Sequence, residues 1–130
     1  MHVFVSHGSR DAWVARQMAR CIAETGATTF IDVNDIATGD DYKRRIRDEI
    51  GHSNEIVVLF TNWSRRRAWL WAEIGAAWFA GIRIIAIMYE TTQRQLEDEG
   101  GFALVDSLHF RSINSFESYL KELQERVASV

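Results

Sequence analysis

"EIVVLFTNWSRRRAWLWAEIGAAW", Glu55 to Trp78, sets a strand directly before a helix. Ile56 to Phe60 are all apolar, the pattern of a strand buried on both faces of a parallel sheet. After the polar turn, Leu70, Ile74, Ala77 and Ala80 recur at helical spacing and form a buried stripe. Trp69 and Glu73 are four apart, so they share another face of the same helix. Leu70 and Ile74 are turned roughly 100° from that face, toward the sheet. A lone helix glutamate is by default solvated. Here its neighbours are apolar on nearly every side, and a carboxylate in such surroundings needs a hydrogen bond or a function. Trp71 and Trp78, seven apart across Gly75, read as structural or as an interface.

Outward from this unit, strands and helices alternate along the whole chain. "HVFVS" (2–6), "TTFI" (28–31) and "RIIAIM" (83–88) repeat the strand pattern, and "LHF" (108–110) is a weaker fifth. Val14, Met18, Cys21 and Ile22 mark a first helix with Gly26 as its stop. Tyr42, Ile46 and Ile50 mark a second, capped by Asp40 and ended by Gly51. "TTQRQLEDEGG" (91–101) is a poor helix. Asn114 and Glu117 resemble a capping box before the stripe Phe116, Leu120, Leu123 and Val127. The expected fold is α/β and flavodoxin-like, a five-stranded parallel sheet of order 2-1-3-4-5 with helices on both faces. Such sheets bind ligands at the carboxyl ends of their strands, near the switch in strand order. Ser6, His7 and Gly8, then Phe30, Ile31 and Asp32, then Thr61 to Ser64 lie at those ends.

The 130 residues are one domain's length, 1–130, and a hydrophobic content of 47% supports a core. A net charge of −3 argues against wrapping nucleic acid. One cysteine, Cys21, excludes a disulfide framework and a cysteine zinc site, and no run reaches the ~18 apolar residues of a membrane span. A cytoplasmic protein without membrane contact is expected. Asp32 and Asp35 have no matching ligands nearby, so no metal is expected. P-loop and GxGxxG fingerprints are missing. Arg65 to Arg67 and "KRRIR" (43–47) could attract phosphates, although most such runs are solvated faces. His7 reads as a proton carrier or a polar lip. Ser6 and His7 do not make a hydrolase dyad, because adjacent strand residues point to opposite faces.

"VFVSH", "TTFIDVNDIATGDDYKRRIRDEIGHS" and the W-x-x-x-E spacing of the opening stretch, in this order, resemble the TIR (Toll/interleukin-1 receptor) domain in its bacterial form. They look like box 1, the second strand with its BB loop ending at Gly39, and the third strand with its helix. The resemblance covers nearly the whole chain. Ala68 stands where many relatives have serine, Gly8 where a basic residue is frequent, and the BB loop lacks proline.

The resemblance implies cleavage of NAD⁺ between nicotinamide and ribose, giving ADP-ribose or a cyclic isomer, in bacterial immune defence. The alternative is a non-catalytic scaffold acting through contact with other TIR domains, against which the Trp69 and Glu73 pair argues. Glu73 matches the family's catalytic glutamate and Trp69 the aromatic at the nicotinamide end; His7 and Phe30 match pocket positions. NAD⁺ is the substrate, and no cofactor is expected. Activation by self-assembly would use the loop "VNDIATGDD" (33–41), with Asp35, the apolar anchor Ile36 and the conformationally free Gly39. The chemistry stands without the family. A pyridinium leaves as neutral nicotinamide without a general acid, so one carboxylate can stabilise the oxocarbenium-like charge. An aromatic face can meet the pyridinium by a cation–π contact.

Overall fold

A computed structural model describes residues 1–31 and 39–129 of the chain. Five strands, β1 (His2–Ser6), β2 (Thr28–Ile31), β3 (Glu55–Phe60), β4 (Arg83–Met88) and β5 (Leu108–Ser112), form one sheet in the order β2-β1-β3-β4-β5. Every neighbouring pair is parallel, with Phe4 opposite Phe30, Ser6 opposite Val58 and Phe60 opposite Met88. The expected order is the observed one, and β5 extends two residues beyond the expected "LHF".

β3 shows why an all-apolar run belongs at the centre. Ile56, Val58 and Phe60 pack on one face against Ile46 and Ile50 of α2 (Gly39–Gly51) and against Leu70, Ile74 and Ala77 of α3 (Ala68–Phe79). Val57 and Leu59 pack on the other, against Ala15, Met18 and Ile22 of α1 (Ala12–Glu24) and Tyr119 and Leu123 of α6 (Phe116–Ala128). Successive side chains alternate across the sheet, so both faces of the strand must be apolar. Helices cover both faces, as expected. Each buried aliphatic side chain contributes about 1.5–3 kcal/mol relative to exposure.

Helix boundaries depart from the sequence reading in four places. α2 begins at Gly39, so Asp40 lies inside the helix rather than at its cap. α3 ends at Phe79, because Gly81 takes φ +73° and its N–H returns to the carbonyl of Trp78 at 3.0 Å. Ala80 is therefore exposed, beyond the buried stripe. Before α6, Asn114 is not the cap. It sits in a 3-10 turn, Ile113–Ser115, where its N–H donates to Ser112 Oγ. The "TTQRQLEDEGG" segment forms α4 (Gln93–Leu96) and a π turn (Glu97–Gly101), followed by α5 (Phe102–Val105). A complete capping box, Thr92 with Gln95, starts it.

Glu55 opens β3 almost fully buried. It accepts hydrogen bonds from Tyr119 Oη at 3.1 Å and from the Arg126 guanidinium, which fasten α6 to the sheet. Burial, then the adjacent Glu55 charge, pushes the Tyr119 hydroxyl far above the usual phenol range, so it stays a donor. Among the described residues no helix is long and apolar enough to cross a membrane.

Candidate active site

α3 presents three faces. Leu70, Ile74 and Ala77 go to the sheet. Trp69, Ala72, Glu73 and Ala76, spaced i, i+3, i+4 and i+7, line a cavity of about 380 Å³. Its opposite side is α2, through Lys43, Arg44, Ile46, Arg47 and Ile50. Trp71 and Trp78 lie off this face. Trp71 is half-buried; its ring lies 5.3 Å from Phe60 and its Nε1–H donates to the Arg65 carbonyl at 2.9 Å. It braces the turn between β3 and α3. Trp78 is 53% exposed, which excludes the core position and leaves a surface one.

Glu73 is 2% exposed although it lines the cavity. Ser6 Oγ donates to its Oε1 at 2.7 Å, across 67 residues of sequence. Ser6 is the last residue of β1, wholly buried, and shares the sheet face of Phe4. A charge-assisted hydrogen bond of this length orients the carboxylate and helps meet the cost of its burial. The sequence places Ser6 at a ligand-binding strand end but gives it no role of its own. The alternation of side chains along β1 places Ser6 on the α3 face of the sheet, the one signal that could have found it.

His7 and Phe30 are not among the described residues lining the cavity. His7 is buried in the turn after β1, and its Nδ1–H donates to the Gly8 carbonyl at 2.7 Å. Phe30 stacks on Phe4, centroids 5.4 Å apart, and belongs with Trp69 to the apolar cluster under α2 and α3. Gly39 is the first residue of α2, next to the cavity-lining turn of that helix. Asp35 and Ile36, like Asp32, lie outside the described residues.

The described ends of β1 and β3 are held by polar contacts. Thr61 Oγ1 donates to Asp11 Oδ2 at 2.8 Å, and Ser64 Oγ donates to the Leu59 carbonyl while accepting from the Thr61 N–H. A Cβ at Gly8 would come within 3.1 Å of Ser64 Cβ and 3.3 Å of Arg67 Cδ. A side chain at this position would have to displace its neighbours by a few tenths of an ångström.

A family model described as "TIR domain" matches residues 3–124. No curated protein matches the sequence. Among solved structures, a Clostridium botulinum CMP N-glycosidase, BcmB, superposes with a TM-score of 0.63 at 18% identity, covering 95% of this chain and 98% of its own. The TIR domains of the activated Roq1 resistosome, which directly recognises the pathogen effector XopQ, give 0.64 at 19% identity, covering 98% and 76%. A diflavin flavoprotein A3 from Nostoc sp. gives 0.51 at 13% identity, covering 96% and 86%. These likenesses show the fold.

Proposed function

Since the chain belongs to the TIR domain family, we propose that it cleaves the N-glycosidic bond of NAD⁺, with Glu73 as the catalytic carboxylate. One observation carries this reading: a glutamate that is 2% exposed, oriented by Ser6, and open to a cavity it shares with Trp69. In the reaction the C1′–N bond breaks and its electron pair goes to the pyridinium nitrogen, so nicotinamide leaves neutral. The carboxylate stabilises the positive charge left on the ribose. Water adds at C1′ and loses a proton, giving ADP-ribose. A hydroxyl or an adenine nitrogen of the same molecule, trapping C1′ first, gives a cyclic isomer instead. Trp69 stacks on the pyridinium.

The likeness to a CMP N-glycosidase supports N-glycosidic chemistry on this fold. A single carboxylate suffices for NAD⁺ for a chemical reason. Cytosine leaves as an anion unless protonated, and Glu73 is the sole carboxylate among the described lining residues. A pyridinium leaving group needs no acid. The likeness to TIR domains within an assembled resistosome supports a further part of the reading. Residues 1–130 act as a single TIR unit in cytoplasmic immune defence, activated when copies dock through the loop containing Asp35 and Ile36 and ending at Gly39.

Nicotinamide release from NAD⁺, followed chromatographically with CMP in parallel, tests the reading. The parent should release nicotinamide. Glu73→Gln, which keeps the shape and loses the charge, should lower the rate about 100-fold or more with the melting transition preserved. A folded Glu73→Gln protein of near-parental rate would sink the assignment. NAD⁺ left intact at every protein concentration would leave the scaffold reading.

A further inference from the structure

The cationic side of the Glu73 cavity has a use of its own: we infer that Lys43, Arg44 and Arg47 bind the 5′-phosphate of the substrate and make the site select nucleotides over nucleosides. The inference rests on the glycosidase reading of Glu73 and deepens it.

The run "KRRIR" divides in two. Arg45 turns aside, its guanidinium 5.6 Å from the centroid of the Phe30 ring. Lys43, Arg44 and Arg47 instead line the cavity opposite Trp69 and Glu73. All three are exposed at its rim, and no salt bridge among the described residues uses them. Lys43 and Arg47 stand at i and i+4, where like charges destabilise a helix. Their convergence is local rather than compositional, because the chain as a whole carries −3. Three cations at the rim of one cavity suit a single phosphate group better than the extended basic stripe that tracks a nucleic acid.

The cavity is thus polarised, with a buried carboxylate on the α3 side and three cations on the α2 side. A pyridinium nucleotide has the complementary polarity, positive at the glycosidic nitrogen and negative at the 5′-phosphate. Binding by both ends sets C1′ beside Glu73, and a cavity of this size holds a mononucleotide-sized group.

Nicotinamide mononucleotide and nicotinamide riboside differ only by that phosphate, and binding of each to the Glu73→Gln protein by calorimetry tests the inference without turnover. At low salt the mononucleotide should bind on the order of tenfold tighter, as three exposed ion pairs acting together provide. The ratio of the two Kd values should fall toward one in roughly 0.5 M salt. It should fall likewise in the Lys43→Gln/Arg44→Gln/Arg47→Gln protein. Arg47→Gln alone, a smaller perturbation, should lower it by about two- to threefold. Equal affinities at low salt, or a ratio that survives the triple substitution, would overturn the inference. Failure of the glycosidase reading appears separately, as NAD⁺ left intact by the parent, and leaves the binding ratio readable.

Discussion

The contact between Ser6 and Glu73 is the smallest unit on which the proposed chemistry depends. Ser6 touches no bond that reacts, so its role is positioning. In a stability cycle, Ser6→Ala should cost about 1.5–3 kcal/mol more in the parent than in a Glu73→Gln background, as expected of a hydrogen bond to a buried charge. kcat should fall by about tenfold or more while KM changes little; an unchanged kcat, or no coupling between the two sites in thermal melts, would remove Ser6 from the site. Trp69 and Trp78 invite a second comparison. Trp69→Ala should weaken turnover or binding of NAD⁺. Trp78→Ala, at a position 53% exposed, should shift stability by about 1 kcal/mol or less. Kinetics and melts on both proteins check this. Glu73 and Trp69 were legible because i, i+4 spacing fixes a shared helix face. Ser6 was not, because its partner is 67 residues away and only the sheet brings them together.

At the level of elements, α3 is held in rotation by its sheet-facing stripe, and that rotation aims Glu73 into the cavity. The stripe was readable from apolar periodicity. Its end was not, because Ala80 continues the pattern while the backbone turns at Gly81 with φ +73°. α6 is secured differently, by the buried Glu55 with Tyr119 and Arg126. Truncating Arg126 to alanine leaves the carboxylate short of its charged partner and should cost about 3 kcal/mol in denaturant unfolding. Activity at temperatures below the transition should persist, because this clamp grips the opposite end of β3 from the strand ends that carry Ser6. A loss below about 1 kcal/mol would mean water replaces the guanidinium freely. Nothing in the strand pattern of "EIVVLF" distinguishes Glu55 from a solvated strand start, so the clamp was invisible until α6 was folded back over the sheet.

For the molecule as a whole, the proposed docking of copies has a concentration signature. NAD⁺ cleavage per molecule should rise with protein concentration or with crowding on a surface, because docking brings the loop containing Ile36 against a neighbouring domain. Ile36→Asp should lower that rise without unfolding the chain, by carrying a charge into the contact. Specific activity that is flat over a wide concentration range, together with a fully active Ile36→Asp protein, would remove assembly from the account and leave Glu73 untouched.

Much of this architecture is local in origin. Apolar runs long enough for a strand, helical periodicity between them, and glycine stops already contain the alternation of β and α. Right-handed crossovers then leave few sheets for them to build. The sequence by itself therefore determined strands alternating with helices, a parallel sheet covered on both faces, and a helix bearing Trp69 and Glu73 together; the order 2-1-3-4-5 was expected from it and is seen in the fold. Only the tertiary structure decided which polar groups meet. Ser6 reaches Glu73 from β1, three α2 cations face the same cavity, and Arg126 closes on Glu55. The physical reason is one of range. Periodicity reports which face of an element is buried, whereas a hydrogen bond or a shared pocket depends on the positions of two elements far apart in sequence, which only packing sets.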